Sequence, residues 1–293
     1  REENKVLSKG EKSAIDLQKI NHLVATWPYK LTQSQLTAVR ECILDMNQKN
    51  LMYRLLQGDV GTGKTLVAIL CLYANYLRSD VGAFMVPTDT LARQHYQTVT
   101  KLLGSLGIKI ALLVGGLSSR EKEDIKEKLY RREIDIVIGT HALFSEDVIY
   151  PSLGLAIIDE QHRFGVNQRL LLASKGERAD LLLMSATPIP RTLALTVYGD
   201  LDVSTLTDFP FKERMVETSI VSSDSKTIDT AIKKAIEEQR KIYVIAPTII
   251  EGESGHFSTE SLYAKFATKY PGKVGWLHGG MNSVQKEEAL ERF

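Results

Sequence analysis

The chain has 293 residues, 43% hydrophobic and 25% charged, which suits one large or two medium cores. Its formal charge of +1 supplies no global positive field. A local basic groove can still sit on a nearly neutral molecule, so the charge alone neither announces nor excludes nucleic acid. No apolar run approaches the ~20 residues that span a bilayer, and the opening REENKVLSKGEKS has no apolar signal core, so a cytoplasmic protein without a membrane partner is expected. Cys42 and Cys71 lie among apolar residues in expected helices, which suits reduced core thiols better than a disulfide or a metal site.

In chain order, residues 1–26 read as a linker or the remnant of an upstream segment. Thr32 to Gln35 has the T-x-x-Q spacing of a capped helix start. The Gln35 amide also offers the donor and acceptor that match the N6 and N7 edge of adenine, and the residues alone leave both readings open. Short aliphatic runs follow at YRLLQ (53–57), GAFMVP (82–87), KIALLVG (109–115), DIVIGT (135–140), LAIIDE (155–160) and LLLMSAT (181–187). Such runs are too short for helices and suit strands covered on both faces, as in a parallel sheet. Between them, 65–79, 90–107 and 119–133 carry apolar residues at spacings near three and four. The rhythm is that of an α/β domain with a parallel sheet. Segment 119–133 intersperses acids and bases at helical spacing, which predicts a solvated helix surface rather than a nucleic-acid face.

The pattern pauses around Thr207 to Lys212, placing a boundary near 208–213, with a first domain over 27–210 and a second over 211–293. Beyond it, helices are expected at 227–239, 260–270 and after Met281, with strands at Met215–Val221, 241–249 and 273–279. These ~80 residues are few beside the ~100–200 of an ordinary domain, and the chain stops inside a helical pattern. The second domain is therefore expected to be truncated.

GDVGTGKT, from Gly58 to Thr65, fits G-x-x-x-x-G-K-[ST] between a predicted strand and a predicted helix. Around Gly58, Gly61, Thr62 and Gly63 the backbone can curl so that successive N–H groups point at phosphate oxygens, and the helix adds its positive end. Lys64 can neutralise β and γ oxygens, while the Thr65 hydroxyl suits Mg²⁺. A hydrolysing site also needs an acidic metal partner and a group that orients water. Asp159 and Glu160 close a buried strand, at the sheet edge where α/β folds present ligands. Asp159 is assigned to the metal and Glu160 to the water.

GDVGTGKT, PTDTLARQH (87–95), GTHALF (139–144), DEQH (159–162) and SATPIPRTLA (185–194) occur in the order found in superfamily 2 helicases, which the chain resembles from about Trp27 to its end. Within them, DEQHRFGVNQR, TPIPRTLA and GWLHGGM (275–281) resemble the bacterial branch-migration helicases. The transcription-repair coupling translocases share HRFG and TPIPRT but usually carry a second Glu where this chain has Gln161. The resemblance implies two RecA-like domains that grip nucleic acid and close on ATP, the second cut short here. It implies that Gln35 contacts adenine, that Gly61, Gly63, Lys64 and Thr65 hold phosphates and Mg, and that Gln161, His162, Ser185 and Thr187 connect the ATP site to the DNA track. Pro87, Thr88, Arg93, Gly115, Gly116, Thr140 and His141 match positions that hold the nucleic-acid backbone, a set suited to phosphates rather than bases. Arg163 and Phe164 belong to the branch-migration and repair-coupling groups and would couple the first domain to a carboxyl-terminal hairpin. Branched or double-stranded DNA is the implied partner, together with replication or recombination proteins, and a monomer is expected. The later motifs, with their γ-phosphate arginines, are missing, so these residues alone are expected to bind nucleotide but hydrolyse it feebly. Two competing readings are a transcription-repair coupling translocase and a nucleotide-dependent binding module that does not move.

Overall fold

Residues 14–159, 179–187, 201–210, 216–222, 226–250 and 257–293 are described in the computed structural model. The chain divides into two units, Arg1–Lys212 and Glu213–Phe293. In the first, the apolar runs become parallel strands: Tyr53–Gly58 (β1), Val81–Met85 (β2), Ile110–Leu113 (β3), Ile136–Gly139 (β4), Leu153–Ile158 (β5) and Asp180–Ser185 (β6). A seventh strand, Asp202–Leu206 (β7), completes a sheet ordered β3-β4-β2-β5-β6-β1-β7. Every pairing is parallel.

Successive residues of a strand point to opposite faces, and both faces here are buried. Leu56, Phe84, Ile136, Ile138, Ile157 and Met184 join one core, whereas Leu55, Ala83, Met85, Val137, Ile158 and Leu183 join the other. That double burial explains why the strands read as unbroken aliphatic runs rather than alternating ones. On the first face lie helices Gln33–Met46 (α2), Lys64–Tyr76 (α3) and Asp89–Leu103 (α4). Central α3 is apolar nearly all round and buries Val67 through Leu72. Helix α4 buries Ala92, His95, Val99, Leu102 and Leu103, a single stripe at helical spacing. Helix Ser119–Tyr130 (α5) buries only Leu129 and carries Asp124–Lys128 and Glu127–Arg131 pairs on its surface, as its interspersed charges predict. Cys42 and Cys71 are free and buried. A hydrogen bond with Cys42, reinforced by burial, holds the Cys71 thiol protonated well above its usual range.

Two features of this unit depart from the sequence expectation. Residues 15–26 are no bare linker: Leu17–Thr26 form a helix (α1) capped by Asp16, and Ile15, Ile20, Leu23 and Trp27 join the first core. Their short apolar stripe is interrupted by Asp, Gln, Lys and Asn, which hides it in the composition. Strand β7 is the other surprise, because Asp202-Val-Ser-Thr-Leu206 buries only Ser204 and Leu206. Polar contacts hold it. Arg54 on β1 donates to Asp45 at 2.7 Å, to Ser204 at 2.9 Å and to Glu41 at 3.3 Å, with Asp202 at 4.0 Å, and Ser204 donates in turn to Glu41.

Arg54 is thus a buried cation shared by α2, β1 and β7. Replacing it by Met would leave Glu41, Asp45 and Asp202 facing one another. Because these acids keep 40%, 24% and 71% of their side-chain exposure, the loss should fall below the ~3–5 kcal/mol of a fully buried broken pair. We expect Arg54→Met to cost about 2 kcal/mol in urea unfolding; a change under about 0.5 kcal/mol, the scale of an ordinary surface substitution, would show that the acids relax into water.

The second unit carries its expected helices at Lys226–Glu237, Thr259–Lys269 and Ser283–Arg292. Its expected strands are not formed among the described residues. Residues 216–222, 241–247 and 274–278 do not form strands, and an isolated bridge joins Thr248 to Ser258. Tyr243 is 74% and Ile245 91% exposed. An aliphatic run specifies a surface to bury, but a strand exists only through its ladder, and neighbouring strands must supply it.

Candidate nucleotide and nucleic-acid site

Because all seven strands run the same way, their carboxyl ends open at one edge of the sheet. That edge gathers the loop after β1, Pro87–Thr88 after β2, Gly115–Gly116 after β3, Thr140–His141 after β4, Asp159 after β5, Ser185–Thr187 at β6 and Asp208 after β7. Parallel pairing therefore brings together segments that lie far apart in the chain.

The loop after β1 has the curl that its glycines permit. Gly61 and Gly63 take φ of 89° and 81°, the left-handed region that favours glycine. Gly63 is also where α3 begins, and no acidic residue in the first helical turn offsets its positive end. Space is tight as well: a Cβ on Gly63 would lie 2.2 Å from Gln35 Nε2, and one on Gly58 would lie 2.7 Å from Thr62 Oγ1. Lys64 Nζ is turned inward, donating to the carbonyls of Gly58 at 2.7 Å and Asp59 at 3.1 Å. Thr62 is buried, its hydroxyl donating to Asp59 O, while Thr65 in the first turn of α3 stays half-buried.

Gln35 is fully buried and sits against this loop. Its Oε1 accepts from Thr32 N–H at 2.9 Å, closing a capping box, and its Nε2 donates to the Thr62 carbonyl at 2.7 Å. The amide expected to read adenine is here a cap on α2 and a prop for the phosphate loop. Across the sheet, Asp159 is fixed by its N–H donating to Met85 O at 2.9 Å. Its carboxylate lies 3.7 Å from His95 Nε2, too long for a hydrogen bond but close enough for attraction when the imidazole is charged. His95 is itself packed on Phe84, with ring centroids 4.9 Å apart. Glu160, Gln161, His162, Arg163 and Phe164 lie outside the described residues.

The residues matched to backbone binding form two groups. Thr88 caps α4, accepting from Leu91 N–H, and the next residue, Asp89, accepts through its carboxylate from Gly116 N–H at 3.0 Å, with Arg93 one turn further along α4. Beyond β4, His141 is exposed, but Thr140 is 3% exposed and its buried hydroxyl has no partner among the described residues. At β6, the buried Ser185 Oγ takes the Thr187 N–H at 3.2 Å and contacts the Thr187 hydroxyl at 3.1 Å, a local turn that fixes where Thr187 emerges. His95, Asp89 and Asp208 were not singled out in the sequence. His95 and Asp89 do fall within PTDTLARQH, and Asp208 within the pause at 207–212.

The family model "DEAD/DEAH box helicase" matches residues 32–196. The chain closely matches "ATP-dependent DNA helicase RecG": it is 40% identical to that of Streptococcus pneumoniae, over 99% of this chain and 44% of that protein. RecG of Thermotoga maritima is 41% identical over 92% of this chain and 35% of its own length. The chain thus spans less than half the length of these curated relatives. A solved RecG bound to a three-way DNA junction is 40% identical with a TM-score of 0.69, over 82% of this chain and 32% of that one. The DEAD-box helicase Mss116, bound to single-stranded RNA, shares the fold at 18% identity and a TM-score of 0.72, over 98% of this chain and 64% of its own. The fold is an α/β RecA-like one with a parallel sheet, and the chain belongs to the DEAD/DEAH box helicase family.

Proposed function

We propose that this chain is the nucleotide-binding part of a motor that uses ATP to move on double-stranded DNA and remodel branched junctions such as stalled forks. The observation that carries the reading is the shared sheet edge, where a glycine-curled loop with an inward lysine stands in one row with Asp159, Thr88 and Gly116. A phosphate entering the loop would replace the Gly58 and Asp59 carbonyls as the partner of Lys64, a stronger, charge-assisted contact. Gln35 would meet adenine by giving up one of its two present contacts. Thr65 and Asp159 offer oxygen ligands suited to magnesium, which would neutralise charge on the terminal phosphates. Among the described residues no group of three or more His, Cys, Asp or Glu side chains could hold a metal ion by itself, so the ion would be shared with the nucleotide.

Glu160 would orient the attacking water, with Gln161 and His162 answering to the nucleotide. Ser185 and Thr187 would pass its state to the DNA track, and Arg163 and Phe164 would pass it to a carboxyl-terminal hairpin. Pro87, Thr88, Arg93, Gly116, Thr140 and His141 would hold phosphates through hydroxyls, amides and one cation, without reading bases. For Thr140 this requires the strand end to open, since its hydroxyl is now buried. We place one motor domain at 27–210 and the start of another at 211–293. A cytoplasmic monomer that meets replication or recombination proteins fits this reading, and no helix among the described residues is long and apolar enough to cross a membrane.

The test is strand displacement by the full-length protein on a synthetic three-way fork and on a plain duplex of the same length. We expect ATP-dependent unwinding of the fork to be at least about tenfold faster, a margin of ~1.4 kcal/mol in barrier. Equal rates would point to a translocase indifferent to branching, and binding without unwinding of either substrate would leave a nucleotide-gated holder.

A further inference from the structure

The first turn of α2 is fastened on two sides. Ser34 N–H donates to Asp208 Oδ2 at 2.8 Å, and Asp208 N–H donates back to Ser34 Oγ at 3.3 Å, joining positions 174 residues apart. One residue further along, Gln35 Nε2 holds the Thr62 carbonyl inside the phosphate loop. Asp208 stands two residues beyond β7, and the last residue of β7, Leu206, pairs with Gly58 where the phosphate loop begins. From Asp208 the chain runs to the boundary at Lys212 and Glu213. A single helical turn therefore touches the nucleotide loop through Gln35 and the outgoing chain through Ser34.

The chemistry of the Asp208 contact suits a firm hold. A carboxylate on an N-terminal amide of a helix makes a charge-assisted hydrogen bond and faces the positive end of the helix. The Ser34 amide, helped by the Ser34 hydroxyl, holds the Asp208 carboxyl below the usual carboxylate range, so it is ionised at neutral pH. The partners are asymmetric in burial: Gln35 is fully buried, whereas Asp208 is half-buried. Motion at the buried end would therefore be read at the accessible one.

We propose that Asp208 is a positioning residue that couples nucleotide occupancy to the path of the chain leaving the first unit. A nucleotide that draws Gln35 from Thr62 shifts the first turn of α2, and the Ser34–Asp208 pair carries that shift to residues 206–210. The coupling rests on the nucleotide reading above. A mere cap on α2 would stabilise the helix but would give residues 206–210 no response to nucleotide.

Hydrogen exchange on the 293-residue chain, with and without saturating ADP and Mg²⁺, separates the two. In the wild type, ADP is expected to change exchange at least about threefold for amides both at 33–36 and within 206–210, where Leu206 to Phe209 carry an N–H. Asp208→Ala is expected to bind ADP within about threefold of the wild type and to keep the response at 33–36, while 206–210 falls silent. Asp208→Asn keeps an acceptor for Ser34 N–H and should restore part of that response; it also serves as the test should the alanine variant fold poorly. A full response at 206–210 in Asp208→Ala, or none there in a wild type that binds ADP, would overturn the coupling and leave the nucleotide reading standing. A wild type that does not bind ADP would remove both.

Discussion

Lys64→Ala is expected to weaken nucleotide binding about a hundredfold while leaving the fold intact. The magnitude follows from what replaces what. Lys64 Nζ now donates to two neutral carbonyls of its own loop, those of Gly58 and Asp59. On phosphate it would make charge-assisted bonds, each worth ~1.5–3 kcal/mol against ~1 kcal/mol for a neutral one. Losing one or two of these nets ~3 kcal/mol, and 1.4 kcal/mol is a factor of ten. Stability should change little, because the side chain is only half-buried and the curl of the loop is set by Gly61 and Gly63 rather than by the lysine. Titration of a fluorescent ADP analogue measures the first effect and thermal melting the second. Affinity within about threefold of the wild type would mean that the loop amides carry binding alone, and it would detach the lysine from the proposed chemistry.

Legibility in the sequence depended on whether the constraint was local. GDVGTGKT could be read because left-handed φ at Gly61 and Gly63 is a property of single residues. The six aliphatic runs could be read because burial on both faces leaves few polar positions in the strands. β7 escaped notice: an edge strand held by Arg54 and Ser204 needs few aliphatic residues, and its partners lie on α2 and β1. Gln35 shows one residue carrying two readings, since the spacing from Thr32 announced the cap but nothing local announced Thr62 as the other partner. His95 beside Asp159, Asp89 on Gly116 and Asp208 on Ser34 are all products of parallel topology, which stacks distant strand ends in one row. In the second unit the relation is reversed. Its helices, whose hydrogen bonds are internal, appear where the periodicity puts them, whereas its aliphatic runs are left without ladders.

Gly139→Ala should be the most damaging small substitution in the sheet, with an expected loss of about 3 kcal/mol, the upper range for overpacking. Its cause is space rather than backbone freedom. Gly139 ends β4 opposite Leu113 of β3, and an added Cβ would lie 2.0 Å from the Leu113 carbonyl oxygen and 3.1 Å from Leu143 Cδ2. A side-chain tip could swing away, but a ladder carbonyl cannot move without parting β3 from β4. Retreat to the other side is blocked as well, because the Gly139 carbonyl accepts from the N–H of Val86, one residue beyond β2, at 2.9 Å. Thr140 and His141 follow Gly139 directly, and Gly115–Gly116 follow β3, so parting these strands displaces much of the proposed phosphate track. The nucleotide loop lies after β1, on the far side of β2, β5 and β6 in the sheet. Urea unfolding should therefore show the lost stability. At temperatures where the variant remains folded, DNA affinity should fall at least tenfold while ADP affinity stays within about threefold. Gly116→Ala is the contrasting case, since its Cβ would meet only the Asp89 carboxylate at 3.4 Å and the Arg93 tip at 3.9 Å, side-chain atoms rather than ladder backbone. Loss of ADP and DNA binding in equal measure would mean that the two ends of the sheet edge do not behave as separate sites, against the division of labour proposed for them.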